Sequence, residues 1–340
     1  MSRLKFYDAG WLSPYALHAS YAGLAASLGE GDEAWLVLAR ADQGHIALGA
    51  SQYADAELDL NYCRMRRIPV VQRALGGGTV WVDSRQLCLF FIFPRGLAPR
   101  SHGALFDTCL DVLVEAYAQV GVTVTRVGGQ DLWCAGRKLL GSGAASIGQA
   151  IVFGASILER FDAESFAACV DCSSRGFQTW LREALAEGMT DLLSLGYAQR
   201  ATRFADVLRA VCDTRWDTVL ARPDAVQNAA IAAVEHELRQ SLELGGRRLV
   251  RGGLKINRET YLLEDTTSPW LRLLWRGGSV MRAASADHRI DTVLQACVGR
   301  PLAGGRLVYE QALAHGLSEA MAQSLVLRVE GLCRSLGQDA

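Results

Sequence analysis

The sequence predicts an α+β fold: a mixed or antiparallel sheet with packed helices, followed by a small α/β C-terminal accessory domain. Three patterns predict it. Short apolar strands dominate the first half, one long helix crosses among them, and from Phe177 the pattern turns helical before a late strand pair. Runs of strands with a helix inserted, rather than strict alternation of strand and helix, argue against a doubly wound sheet.

In chain order, AWLVLA (34–39) and HIALG (45–49) read as short strands joined by the polar turn RADQG. Residues 55–66 have mixed polarity and predict a helix leading into a strand at 68–72. A glycine triplet follows, then an apolar stretch over 79–93 broken by VDSRQ. Residues 104–120 carry a helical stripe: Leu105, Cys109, Leu113 and Tyr117 lie four apart, widened by Phe106, Leu110 and Val120. Gly121 suits the position beyond that helix, and VTVTRV alternates like a strand. DLWCAGRKLLGSG reads as two strands around a tight AG turn, and QAIVFGASIL as another strand. FQTWLREAL, ATRFADVLRAV and the proline-started DAVQNAAIAAVEHELRQSLEL predict helices. GGRRLVRGG breaks the pattern; LRLLWR and SVMRAAS then pair around a GG turn, with helices expected at 291–297 and 309–336. The domains expected are a catalytic one over 1–240 and an accessory one over 245–340.

The chain has 340 residues, 50% of them apolar, enough for one substantial core and a smaller second unit. A formal net charge of −1, with arginines scattered, gives no overall electrostatic case for a nucleic-acid partner, and none is expected. The polar N-terminus and the lack of an apolar run of roughly 18 residues predict a soluble cytoplasmic protein without membrane contact. Nine cysteines are an odd number, and only Cys169 and Cys172 form a C-x-x-C. No second pair at ligand spacing accompanies them, so no metal site is expected and reduced thiols are the simplest reading.

Two stretches carry candidate chemistry. In RALGGGTVWVD, Gly76, Gly77 and Gly78 cost backbone entropy and bury no side chain, which suits a place where only bare backbone fits. A permissive turn would explain the glycines alone. Arg73 just before them adds a guanidinium to exposed N–H groups, a combination that suits a carboxylate or phosphate. In GGQDLWCAGRKLLGSGAA, Lys138 follows a turn, and alternation puts it on the face opposite Arg137 and Leu139. Asp131 on the preceding strand is placed to share its cavity. Such a lysine would neutralise charge developing on a leaving phosphate; a solvated hairpin is the plain alternative.

Together the two stretches resemble the RRxxGGGxVxHD and GRNDxxxxGRKxxGSA segments of the lipoate-protein ligase and octanoyltransferase superfamily, related also to biotin-protein ligases. HIALGASQYADAELDLNYCRMRRIPVV is similar to the family's run-up, and IVFGASILERFD to its HGTxLxxxD segment. The C-terminal strand pair and helix ending in GRPL are similar to the ligases' accessory domain. The resemblance lies closest to the lipoate-protein ligase A branch. It implies a biotin/lipoate-ligase α+β fold and activation of lipoate or octanoate by ATP, with magnesium as its companion ion. No permanently bound cofactor is implied. The acyl group would pass to a lysine of a lipoyl carrier domain. It also implies that Lys138 is the catalytic lysine, with Arg73, Gly76, Gly77, Gly78, Gln130, Asp131 and Ser142 holding the acyl-adenylate.

The departures are specific. Gln72 stands where the first arginine is usual, Val82 replaces the histidine before Asp83, Gln130 replaces asparagine, and Phe153 replaces the histidine of HGT. They leave two alternatives open. One is ATP-independent octanoyl or lipoyl transfer through a thioester on Cys169 or Cys172, which would need a cation beside the thiol. The other is a non-catalytic protein that binds lipoyl domains or acyl-adenylate.

Overall fold

In the computed structural model, which describes residues 2–197, 199, 203–248, 250–257, 259–302 and 305–334, the chain forms two units. The larger runs to Cys169 and resumes over Met189–Gly246; the smaller takes Val170–Gly188 and continues from Arg247. In chain order the larger unit holds β1 (Arg3–Leu12), α1 (Pro14–Ser27), β2 (Ala34–Ala41), β3 (His45–Leu48), α2 (Ala54–Glu57), α3 (Leu60–Met65), β4 (Val70–Gln72) and β5 (Val80–Val82). It continues through β6 (Gln86–Pro94), α4 (His102–Gln119), β7 (Thr125–Val127), β8 (Asp131–Cys134), β9 (Arg137–Ile147), β10 (Ala150–Leu158) and α5 (Ala163–Cys169). After α6 (Arg175–Gly188), which belongs to the smaller unit, it adds α7 (Phe204–Asp213), β11 (Asp217–Leu220) and α8 (Ala225–Leu238).

Eight strands form one sheet in the order β11-β1-β2-β6-β10-β9-β8-β7, parallel across β11-β1-β2 and antiparallel beyond. Alternation divides the core into two layers. From β6, Leu87, Leu89, Phe91 and Phe93 pack with α4 and α7, whereas Cys88, Phe90 and Ile92 pack with α1. Burial on both faces explains why β6 is apolar almost throughout. Periodicity does not reveal α1, because PYALHASYAGLAAS is buried on nearly every side and has no polar face. Its start is nonetheless written in the sequence: the Ser13 hydroxyl accepts the Ala16 N–H at 3.3 Å, and Pro14 opens the first turn. Gly23 admits the backbone of α8, since a methyl there would lie 2.4 Å from the Ile231 Cα.

A second sheet, ordered β4-β3-β5, carries the glycine loop between β4 and β5. Ile46, Leu48, Leu58, Cys63, Trp81 and Cys169 form its apolar backing. The single helix expected over 55–66 is two, α2 and α3. Asp59 separates them: its side chain accepts the Tyr62 N–H at 2.8 Å to cap α3, while its own N–H goes to the Cys169 carbonyl.

The smaller unit is an antiparallel meander of β12 (Gly253–Lys255), β13 (Thr260–Asp265), β14 (Leu271–Arg276) and β15 (Ser279–Ser285), packed with α9 (His288–Ala296), α10 (Arg306–Ala314) and α11 (Glu319–Arg334). The helix expected over 309–336 breaks into α10 and α11 at Gly316, whose φ of +79° is left-handed; residues 335 and 336 lie outside the described residues. The sequence gives no hint that Val170–Gly188 belongs here. It is held by long-range polar contacts: Arg272 pairs with Glu264 at 2.6 Å and donates to the Ser174 hydroxyl at 2.8 Å. No helix among the described residues is long and apolar enough to cross a membrane.

Beneath the glycine loop, His18 and His45 meet Nε2 to Nε2 at 3.1 Å, both buried. His45 Nδ1 faces the Gln43 carbonyl at 3.2 Å and so carries its proton there. His45 Nε2 then accepts from His18 Nε2, leaving His18 Nδ1 bare, in keeping with the absence of any partner for that atom among the described residues. Burial pushes His45 down to about 4. Burial, then His45 and Arg73, hold His18 well below the ordinary range. The unfolded chain takes up protons near pH 6.5 and the folded His45 only near 4. This stability is therefore whole above 6.5 and lost as pH falls through the folded value. The His45 share is about 3 kcal/mol, from roughly 1.4 kcal/mol per pH unit. Urea midpoints should drop between pH 7 and 4.5; a level midpoint over that range would contradict the neutral pair.

Candidate functional site

The glycine loop is pinned from inside. The buried Arg73 guanidinium donates from Nη1 to the Ala47 carbonyl at 2.6 Å, and from Nη2 to the carbonyls of Gly76 at 3.0 Å and Gly78 at 2.7 Å. Burial pushes Arg73 down to about 10, with Tyr21 opposing, so it stays charged at neutral pH. Arg73 thus holds the loop and does not reach outward. Peptide planarity has a consequence here: turning the Gly76 carbonyl toward Arg73 turns the Gly77 N–H the other way. That N–H has no acceptor among the described residues.

Two of the glycines answer to the protein's own backbone. A methyl on Gly49 would lie 1.8 Å from the Gly77 carbonyl oxygen, and one on Gly143 would lie 3.2 Å from that of Gly76. Gly77 itself has φ of +95°. Gly78 differs, with open space where a side chain would be. Gln52 ties the end of the loop to Gly49 after β3, its Oε1 accepting from the Gly49 N–H at 3.0 Å and the Thr79 hydroxyl at 3.2 Å.

The second stretch forms a hairpin beside the loop. Ala135 and Gly136 both have positive φ, the geometry of a two-residue type I′ turn, which pairs Cys134 with Arg137 and Trp133 with Lys138. A register shift beyond that pair buries both Leu139 and Leu140, so simple alternation fails past Lys138. The Lys138 ammonium lies 3.0 Å from Asp131 Oδ1, with side chains 17% and 9% exposed. This is no solvated hairpin. Lys138 lies across the bare α-carbon of Gly141, where a methyl would meet both Cε and Nζ at 2.8 Å. Ser142 donates to the Gln130 carbonyl at 2.5 Å, bracing the turn ahead of Asp131. Gly143, next along β9, meets the loop at Gly76. Strand β9 therefore carries the lysine and meets the loop at Gly143.

The departures from the family pattern are accommodated. Val82 and Phe153 are buried, Phe153 against Phe106 with rings 5.3 Å apart, so both are core residues. Asp83 is held by Trp81 Nε1 at 3.0 Å and Arg85 Nη2 at 2.9 Å. The Gln72 amide donates to the carbonyls of Gly49 at 2.6 Å and Gln52 at 3.0 Å. Thiolate is disfavoured at both cysteines. Cys169 is fully buried, and its contact with the Cys63 thiol pushes it up. Burial pushes Cys172 up to about 12 despite Arg248. Sequence reasoning overlooked Gln52 and Trp133. The AG turn alone places Trp133 opposite Lys138, and its buried indole N–H has no acceptor among the described residues.

Known structures share this architecture. A bi-partite lipoate protein ligase from Thermoplasma acidophilum, from work that also treats its E2 lipoyl domain, aligns with a TM-score of 0.61 at 16% identity, covering 70% of this chain and 93% of its own. A lipoate-protein ligase A bound with ATP aligns at 0.58 and 16%, covering 69% and 94%. P. falciparum LipL1 in complex with lipoate aligns at 0.52 and 11%, covering 96% and 99%. At these identities the likeness establishes the fold. No curated protein matches the chain by sequence. The family model of the lipoyl protein ligase A/B catalytic domain matches residues 16–213, more than half of the 340, and spans both the glycine loop and the lysine hairpin. The chain therefore belongs to the lipoyl protein ligase A/B catalytic-domain family and is an enzyme of ligase or transferase type.

Proposed function

We propose that this enzyme activates lipoate or a related medium-chain acid with ATP and transfers the acyl group to a lysine of a lipoyl carrier domain. The observation that carries the reading is the Lys138 ammonium, held by Asp131 over bare Gly141 on the strand that meets the glycine loop. In the first step the acid's carboxylate oxygen attacks the α-phosphorus of ATP. An O–P bond forms, the bond to the bridging oxygen breaks, and pyrophosphate leaves with that electron pair. In the second step the neutral carrier amine attacks the acyl carbon and the C–O bond to AMP breaks. The amine's surplus proton leaves to solvent.

Lys138 would neutralise charge building on the phosphate and acyl oxygens, where a preorganised cation acts most strongly. The Gly77 N–H would donate to a ligand oxygen, and open Gly78 would let the ligand approach. Asp131 orients the lysine, while Ser142 and Gln130 shape the turn beside it. Solved structures bound with ATP and with lipoate support these substrates, and the Thermoplasma system supports a lipoyl-domain acceptor. Among the described residues no cluster of three or more His, Cys, Asp or Glu is arranged to hold an ion. Magnesium would enter with ATP as its companion ion. All nine cysteines are free, which suits a reducing, cytoplasmic setting.

Incubation with ATP, lipoate or octanoate and an apo lipoyl domain should yield acyl-AMP and a mass shift on the acceptor. Absence of both across several acids would overturn the reading. Lys138→Ala should slow transfer by roughly 100-fold or more while weakening acid binding far less, by analogy with removing an oxyanion-hole donor. Lys138→Arg should recover little, because a planar guanidinium does not fit over Gly141 as an ammonium does. Arg137→Ala serves as the control, and equal rates for wild type and folded Lys138→Ala would remove the lysine from the chemistry. Cys172→Ser and Cys169→Ala should retain wild-type transfer with ATP. A thioester trapped from an acyl-carrier donor, lost in either variant, would instead establish ATP-independent transfer.

A further inference from the structure

The last residues of the larger unit are fastened to the footing of the glycine loop. The Ala54 N–H donates to the Glu243 carbonyl at 2.8 Å, and the Gly245 N–H reaches both Asp55 carboxylate oxygens at 3.1 and 3.0 Å. Gly246 lies flat against Tyr53, since a methyl there would fall 2.1 Å from the ring. The Glu243 N–H points to Gln72 Oε1 at 3.5 Å, while the same side chain's Nε2 holds the Gly49 and Gln52 carbonyls. Gln52 in turn holds Gly49 and Thr79, and Gly49 abuts Gly77. One amide therefore joins the strap Glu243–Gly246 to the loop. Arginine, with five donors and no acceptor, has nothing to offer the Glu243 N–H, whereas glutamine has both functions.

We propose that Gln72 is a positioning residue: it couples the strap Glu243–Gly246 to the glycine loop and thereby sets the affinity of the loop for the acyl substrate. The coupling rests on the acyl-activating reading above only for the identity of that substrate. Strap and loop contacts share side chains, so loosening either end frees the other, a reciprocity that any coupling of this kind obeys.

Hydrogen–deuterium exchange on the full chain tests the coupling without substrate. Asp55→Ala removes the carboxylate under Gly245, so exchange should quicken in peptides covering 241–248 and also in those covering 73–82. Gln72→Met should quicken both. Faster exchange confined to the strap in Asp55→Ala, with the loop unchanged, would overturn the proposal. Steady-state kinetics supplies the second arm: both variants should raise KM for the acid about five- to tenfold, the scale of one lost hydrogen bond, with kcat within twofold. Gln72→Lys keeps the donors to Gly49 and Gln52 but has no acceptor for Glu243, so it should raise KM as well. A wild-type KM in Gln72→Lys would mean that the strap plays no part. Should no variant, nor the wild type, act on any acid, the acyl-activating reading fails while the paired exchange response still decides the coupling.

Discussion

A buried guanidinium that must be satisfied is the constraint on which the site depends. Arg73 has no carboxylate partner among the described residues; its donors go to three backbone carbonyls, two of them within the glycine loop. Charge-assisted bonds to neutral carbonyls are stronger than ordinary ones, and leaving a buried charge unpaired would be severe. The loop therefore folds around the arginine. Glycines permit this, Gly77 within the loop by its positive φ and Gly49 and Gly143 outside it by standing close to loop carbonyls. The result is a loop whose carbonyls face inward and whose Gly77 amide faces outward.

The Lys138–Asp131 pair belongs to the same logic of preorganisation. A largely buried ion pair adds little net stability, since desolvation offsets most of the attraction. What the pair achieves is a fixed ammonium in a narrow place, over a glycine that leaves no room for Lys138 to share with a side chain. Asp131 lowers the cost of keeping that charge partly buried while no substrate is bound. In the proposed reaction an incoming anion would meet a cation already oriented, with little reorganisation at the moment of reaction.

Much of this was legible in the sequence, and what was not has physical causes. The central strands, α4 and the lysine hairpin follow from alternation, helical period and turn chemistry, all local. The AG turn even fixes the cross-strand neighbour of Lys138. By contrast α1 is buried on nearly every side and shows no amphipathic stripe, and the division of residues 55–66 depends on a cap at Asp59. The motifs suggested an Arg73 that holds the acyl-adenylate, whereas its donors go to the Ala47, Gly76 and Gly78 carbonyls, because whether a guanidinium points outward or into its own loop is a tertiary fact. Cys169 and Cys172 looked alike in sequence, yet Cys169 lies against Cys63 and Cys172 lies in the smaller unit, both under burial that disfavours thiolate.

The substitution of glutamine for arginine at position 72 can now be weighed by charge and by reach. A second guanidinium beside Arg73 would bring another cation into a region already desolvated enough to lower the first. Glutamine avoids that repulsion and still donates to the Gly49 and Gln52 carbonyls. It loses a long-range pull on anions, which leaves Lys138 as the charge nearest the loop along β9 and the loop amide as a neutral donor. Recognition of an anionic ligand would then rest on short hydrogen bonds to fixed backbone more than on net positive potential. Such bonds act only at contact, so affinity depends on how firmly the loop is held. The network through Gln52, Gln72 and Asp55 adds to the hold that Arg73 has on it.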